Sequence, residues 1–154
     1  MKYGIYMHFM LAILIKVQFA FHYLNVYVFD DPNGFQMPEV PKPQIWQFIW
    51  LTSLIPSMVG YFALYKNTVS LMKFYYYGTI SLGLGTCLFT MVLNAADLMD
   101  FAQTKDVATK FNDFPVIVLW FAYLFVVVQV HAFGIYFSRE LIQIWSKTSL
   151  KKKN

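Results

Sequence analysis

The chain has 154 residues, enough for one domain, but only 13% of them are charged, whereas about 25% are charged in a soluble domain. With 58% hydrophobic residues it belongs to the membrane class, and its single cysteine, Cys87, excludes an intrachain disulfide. The net charge of +4 comes from the chain ends and one turn, so no basic nucleic-acid-binding domain is predicted.

Four apolar blocks approach the ~20 residues that a helix needs to cross a bilayer. They cover residues 5–29, 45–65, 69–93 and 114–137. The first block follows Lys2 like a signal peptide, but Lys16 interrupts it and no small-x-small cleavage site follows, so we interpret it as a retained helix. The prediction is an all-α polytopic membrane protein, with a four-helix transmembrane bundle over residues 1–137 and a basic tail over residues 138–154.

The connections between the blocks differ in kind. Residues 30–44 contain four prolines and cannot continue a helix, whereas residues 66–68 form only a tight turn. Residues 94–113 are polar and compatible with a short interfacial helix. Asp113 and Pro115 predict the N-cap and the first turn of the fourth helix.

Three further features bear on the second and third helices. Pro56 should kink the second helix by leaving the carbonyl of Thr52 unpaired. Trp46 and Trp50 at its start are predicted to lie at the membrane interface. Small residues spaced four apart in the third block predict that a neighbouring helix packs closely against it. These pairs are Thr79 with Gly83 and Ser81 with Gly85.

Charge placement predicts the orientation of the bundle. One side carries eight basic residues: Lys2, Lys66, Lys73, Arg139, Lys147, Lys151, Lys152 and Lys153. The other side carries three, Lys42, Lys105 and Lys110, and most of the acidic residues. The positive-inside rule makes the first side cytosolic, and both termini are then cytosolic.

Polar side chains interrupt the first and fourth blocks. Gln18, His22 and Asn25 fall at i, i+4 and i+7 on one helix face, while Gln129 and His131 lie in the fourth block. Ionisable groups inside a membrane are functional candidates by default. We interpret Gln18, His22, Asn25 and His131 as interhelical hydrogen-bonding residues. Their number and spacing do not predict a metal site, and we expect no cofactor.

Lys16 lies about 20 Å from the cytosolic end of a first helix that begins near Tyr3, at 1.5 Å per residue. Its side chain tilts towards the N-terminus, and its stem reaches about 6 Å in that direction. The ammonium then comes near the depth of Gln129. We hypothesise a Lys16–Gln129 contact or a nearby backbone carbonyl partner. The alternative is a lipid headgroup or a substrate carboxylate.

The sequence closes with three lysines and Asn154. Lys152 and Lys151, third and fourth from the carboxyl terminus, look like the dilysine signal by which the COPI coat retrieves resident ER membrane proteins. Such a signal is an address read by a receptor, and it requires a cytosolic tail with a free carboxylate. The alternative is a basic tail that touches anionic lipid, at about 1 kcal/mol per lysine.

Several segments, in order along the chain, resemble the Jagunal family. The resemblance is strongest in the last helix and tail and covers nearly the whole chain. It rests on Lys2 and Tyr3, residues 53–57 with Gly60, Lys66 and Asn67, residues 127–132 and 136–138, Leu141, and Trp145.

The resemblance implies a non-enzymatic, four-pass ER membrane protein that acts in ER organisation, vesicle-mediated transport and secretion. Its expected partners are the COPI coat, membrane lipids and other ER membrane proteins or a second copy, without nucleic acid. One alternative is an accessory subunit of an ER glycosylation or translocation complex. Another is a small transporter or intramembrane enzyme using Lys16, His22 and His131, which requires a water-accessible cavity joining the three residues.

Overall fold

The computed structural model describes residues 1–27, 40–105, 110–111 and 114–151. In these ranges four helical units are long and apolar enough to cross a membrane. We call them spans 1 to 4: Lys2–Val26, Ile45–Lys66, Val69–Leu93 and Val116–Thr148. The prediction of an all-α protein with four membrane-crossing helices is confirmed.

The spans contain shorter elements. In chain order these are α1 (Lys2–Tyr27), α2 (Ile45–Leu51), α3 (Leu54–Lys66), α4 (Val69–Gly78), a π-helical segment (Thr79–Gly85), α5 (Thr86–Leu93), α6 (Ala95–Thr104), β1 (Lys110–Phe111), β2 (Phe114–Pro115) and α7 (Val116–Lys151). The two strands pair antiparallel, with Phe111 opposite Phe114. Helix α6 occupies the polar segment where a short helix was predicted.

Span 2 is broken between α2 and α3, close to Pro56. Proline has no N–H to donate to Thr52, but the carbonyl of Thr52 is not left unpaired, because it accepts from the backbone N–H of Ile55 at 3.1 Å. The hydroxyl of Thr52 donates to the carbonyl of Ile49 at 2.6 Å. Side chains and a tighter turn therefore satisfy the freed backbone, as membrane helices with proline require.

Spans 2 and 3 form a hairpin through Asn67. Asn67 adopts the left-handed conformation, with φ 49° and ψ 43°, and its backbone N–H donates to the carbonyl of Ala63. Asparagine tolerates this conformation better than most residues, so the sequence closes α3 without glycine. The two helices then pack closely, because Gly60 faces the ring of Tyr75 and Gly78 faces Pro56.

Span 3 is not a uniform α-helix, since it widens into the π-helical segment Thr79–Gly85. Such segments are rare and frequently mark functional sites. Thr79 and Gly83 face the bundle interior, whereas Ser81 is exposed and Gly85 is half-buried. Of the two small-residue pairs in the sequence, only Thr79 with Gly83 therefore serves packing inside the bundle.

Span 4 departs from the predicted boundaries at both ends. Phe114 and Pro115 lie in β2, and the helix begins at Val116, while the predicted cap Asp113 falls outside the described residues. Helix α7 then continues without a break past Phe137 to Lys151. Its last turns pack against the bundle rather than lying apart from it, because Leu141, Ile142 and Trp145 contact a core cluster.

The core consists of two apolar clusters at different heights in the bundle. The one that we call the upper cluster contains Leu11, Ala12, Ile15, Trp50, Cys87, Leu124 and Val127. The one that we call the lower cluster contains Ile5, Ala63, Met72 and Tyr75. In spans 1, 2 and 4, buried polar side chains lie between the residues of the two clusters, so a polar layer separates them.

Candidate functional site

A polar core network occupies the layer between the two apolar clusters and includes Trp50, which also belongs to the upper cluster. We define it as His8 of α1, Trp50 of α2, Ser53 and Ser57 at and beyond the break in span 2, and His131 of α7. All five side chains are buried, with exposed fractions from 0% to 3%. Buried polar groups in a membrane interior are stable only when they are paired, so the contacts of this network decide its role.

His8 bridges α1 to both serines of span 2. Its Nε2 lies 2.9 Å from Oγ of Ser53, and its Nδ1 lies 2.7 Å from Oγ of Ser57. The serines are four residues apart, one helical turn, so their hydroxyls stack on the face of α3 that meets α1.

The same two hydroxyls also contact the backbone of span 2. Ser53 lies 2.6 Å from the carbonyl of Trp50, and Ser57 lies 3.0 Å from the carbonyl of Ser53. These contacts and the two to His8 need four hydrogens, whereas two hydroxyls and a neutral imidazole supply three. One of the four contacts therefore has no hydrogen, and the hydroxyl that faces the unprotonated nitrogen of His8 donates either to that nitrogen or to its carbonyl.

Trp50 ties α2 to α7. Its indole Nε1–H donates to Nε2 of His131 at 3.0 Å, which places the proton of a neutral His131 ring on Nδ1. The edge of His131 meets the ring of His8, with centroids 4.7 Å apart and planes at 85°. Spans 1, 2 and 4 therefore converge at one pair of imidazoles.

Gly83 brings span 3 onto the same pair. A Cβ at this position would lie 2.7 Å from Cε1 and 2.9 Å from Nε2 of His131, distances that real Cβ atoms do not adopt. Only glycine lets the π-helical segment approach the imidazole so closely. All four spans thus meet around His131.

A second polar contact joins α1 to α2 further along the bundle. Gln47, fully buried, donates from Nε2 to Oε1 of Gln18 at 2.8 Å, and Gln18 donates to the carbonyl of Pro41 at 2.9 Å. Of the residues predicted to bond between helices, Gln18 bonds to Gln47 and His131 bonds to Trp50. The other two, His22 and Asn25, lie half-buried on α1.

The structure does not place Lys16 and Gln129 in contact. Both side chains are exposed, and the hydrogen bonds of the described residues include none between them. Lys16 is turned about 100° from the buried Ile15, and Gln129 lies about 200° around α7 from His131. Each therefore points away from the polar core network.

A cavity of about 430 Å³ lies between the start of α7 and the middle of α1. Its lining residues are Leu14, Ile15, Gln18, Val40, Pro41, Phe111, Val116, Leu119, Trp120 and Tyr123. Lys16, His22 and His131 are absent from this lining, so the cavity does not join the three residues that a transporter or intramembrane enzyme was expected to use. Its walls are apolar, and the amide of Gln18 is already bonded.

The serine–histidine contacts of the polar core network have the geometry of a nucleophile and its base. However, His8, Ser53 and Ser57 are almost fully buried, and none of them lines that cavity. In the described parts of the chain, no group of three His, Cys, Asp or Glu side chains could hold a metal ion. The arrangement therefore fits the joining of four helices.

The start of α1, the turn between α3 and α4, and the end of α7 lie at one end of the bundle. Their proximity follows from contacts in the lower cluster, where Ile5, Met72 and Trp145 pack together. We call this the basic end, because it collects Lys2, Lys66, Lys73, Arg139 and Lys147. Lys151 is the last residue of α7, and Lys152 falls outside the described residues.

Sequence reasoning missed His8, Ser57 and Gln47 and placed Trp50 at the membrane interface, although Trp50 is fully buried. A signal was present: His8 shares a helix face with Ile5, Ala12 and Ile15. Trp50, Ser53 and Ser57 likewise fall at i, i+3 and i+7. Their mutual contact depends on the rotation of separate helices, which one sequence does not reveal.

Comparison with known proteins gives one family match. The model of the family described as Jagunal, ER re-organisation during oogenesis, matches residues 1–149. Protein jagunal of Drosophila pseudoobscura pseudoobscura is 26% identical over 99% of this chain and 81% of its own length. Protein jagunal homolog 1 of Homo sapiens is 24% identical over 97% of this chain and 78% of its own length. A Caenorhabditis elegans protein jagunal homolog is 24% identical, and this chain spans 61% of it.

Proposed function

The chain belongs to the Jagunal family, and from this premise we propose that it organises the ER membrane and supports vesicle-mediated transport in the early secretory pathway without catalysis. We also propose that the COPI coat retrieves it through Lys151 and Lys152. The family description supplies the ER and its re-organisation. Retrieval and vesicle transport are the further steps of the proposal.

The basic end of the bundle is the observation that carries the proposal. Basic side chains from spans 1 to 4 gather there, and the positive-inside rule makes that end cytosolic. Helix α7 continues from the bundle at this end to Lys151. A cytosolic coat would therefore meet Lys151, the last residue of α7, and Lys152, the next residue in sequence. The cytosolic turns of this helix pack on the bundle through Leu141 and Trp145.

The experiment compares the cellular location of two untagged chains that both end in the free carboxylate of Asn154. One is the native chain, and the other is a Lys151→Ser/Lys152→Ser variant. We expect the native chain in the ER and the variant in the Golgi or at the plasma membrane. A matched control, Lys147→Ser/Lys153→Ser, removes the same charge but keeps the two lysines of the signal. We expect this control to stay in the ER.

The control separates a receptor-read address from lipid attraction. If both double variants leave the ER equally, the tail acts through its charge on anionic lipid. If neither leaves, retention comes from the spans, and the retrieval part of the proposal is wrong. ER organisation is then tested separately, by imaging ER morphology in cells in which one of the two variants replaces the native chain.

A further inference from the structure

Lys16 is a cation on the outer surface of the bundle in the middle of span 1. Its Cα lies about 21 Å along α1 from Lys2 and about 15 Å from Val26, at 1.5 Å per residue. Because span 1 runs from Lys2 to Val26, Lys16 is near the centre of a hydrocarbon core about 30 Å thick.

Nothing in the described part of the chain pairs with this ammonium. Across residues 1–27, 40–105, 110–111 and 114–151, Lys16 makes no hydrogen bond and no ion pair, and its side chain is exposed. Lysines inside membranes almost always face the bundle interior, line water or pair with an opposite charge. Among the described residues of one bundle, Lys16 does none of these.

A lipid phosphate is a poor fit to this position. The side chain tilts towards the N-terminus of α1, away from the nearer end of the span. A stem of about 6 Å then leaves the ammonium about 15 Å from the level of Lys2. A phosphate at the membrane surface would reach that depth only if the bilayer thinned by several ångströms.

A second copy of the chain cannot supply the counter-charge either. Spans 1, 2 and 3 contain no Asp or Glu, and span 4 contains only Glu140. Glu140 lies about 36 Å along α7 from Val116, at the basic end, whereas Lys16 is only about 15 Å from the opposite end of its span. In two copies with the same orientation these side chains differ in depth by about 20 Å.

We propose that the face of α1 around Lys16 docks a transmembrane helix of a different membrane protein, whose Asp or Glu pairs with Lys16 near the centre of the bilayer. The surface fits a helix, because Ile13 and Val17 beside Lys16 are exposed by 48% and 44%. Ala20, one turn further, is exposed and small enough to allow close approach. This inference goes beyond the proposed function and does not depend on COPI binding.

The test uses the full chain in ER membranes with a photoreactive amino acid at Ala20, one turn from Lys16. We expect a crosslinked membrane protein with a carboxylate in one of its spans. Lys16→Leu should lower the yield of this adduct about tenfold or more, because the partner's carboxylate is then left unpaired in the membrane. Lys16→Arg should keep it, and the same probe at exposed Phe133 on α7 should not form it.

Charge reversal makes the test decisive. Lys16→Asp should abolish the adduct, and Lys replacing the partner's acidic residue should restore it. An adduct that contains only lipid, or a second copy of this chain, would overturn the proposal. So would an absent adduct, or a protein adduct whose yield is the same with leucine at position 16. Lys16 faces outward, so these variants retain the bundle, which ER retention and unchanged helicity verify.

Discussion

The indole of Trp50 and the imidazole of His131 are joined by a hydrogen bond of 3.0 Å, although 81 positions separate them in sequence. Both side chains are almost fully buried. The bond links the half of span 2 before Pro56 to the middle of span 4. It therefore holds the broken helix in place where the backbone of span 2 is interrupted.

Replacing Trp50 by phenylalanine should lower the free energy of unfolding in detergent micelles by about 1–3 kcal/mol, because Nε2 of His131 loses its buried donor. Trp46→Phe is the matched control, since Trp46 is half-buried and donates to Gln44 at an exposed contact. We expect the control to cost less than about 1 kcal/mol. Equal losses in the two variants would contradict the role given to the bond with His131.

His8 and Ser57 should be energetically coupled. A double-mutant cycle of His8→Ala and Ser57→Ala should show a coupling of about 0.6–1.7 kcal/mol, between the average and the maximum found for hydrogen bonds between membrane helices. The cycle of His8→Ala with Thr90→Ala is the control. The hydroxyl of Thr90 bonds within its own helix to Thr86, so these two changes should add. Additivity in the first cycle would show that the serine–imidazole contact contributes nothing.

Gly83→Ala should destabilise the bundle by about 1–3 kcal/mol, because the added Cβ displaces the ring of His131. Gly4 offers the opposite case, since a Cβ there meets nothing within 4 Å. Gly4→Ala should be neutral or stabilising by about 0.5–1 kcal/mol through higher helix propensity. Thermal unfolding followed by circular dichroism compares the two variants, and a neutral Gly83→Ala would contradict the close approach of span 3.

Asn67→Ala should cost about 1–2 kcal/mol, because the residue keeps a positive φ at the turn between α3 and α4. Asn67→Gly should be close to neutral, since glycine adopts this conformation freely. The free energy of unfolding of both variants in the same detergent checks this. Equal losses for glycine and alanine would mean that the side chain of Asn67, and not its backbone conformation, holds the hairpin.

Cys87 reports on the opening of the upper cluster. Cys87 has 0% exposure, so a maleimide should label its thiol only when the upper cluster opens, locally or by global unfolding. We expect the labelling rate in native micelles to rise in Trp50→Phe, whose indole packs in the same cluster. A variant with Cys87→Ser and Met99→Cys places the thiol on the exposed surface of α6, outside the spans, and should be labelled rapidly in every state.

Much of the fold follows from the sequence. Each of the four predicted blocks contains most of one span: residues 5–29, 45–65, 69–93 and 114–137. They could be found because the bilayer thickness sets the length of a membrane-crossing helix, and an apolar run of that length is visible in the sequence. Pro56 indicated an interruption of span 2, because proline has no N–H to donate. Asn67 indicated a turn, because asparagine tolerates the left-handed conformation. The π-helical segment Thr79–Gly85 was not predicted.

The sequence by itself determined how many helices cross the membrane and which end collects positive charge. It also placed their beginnings and ends to within a few residues, except for the end of the fourth, which lies well past Phe137. These properties depend on local composition and on the free energy of transfer into lipid. Tertiary structure alone decided that His8, Trp50, Ser53, Ser57 and His131 meet, and that Lys16 faces outward. The rotation of each helix about its axis is set by packing against its neighbours, and only that rotation determines which polar side chains find a partner.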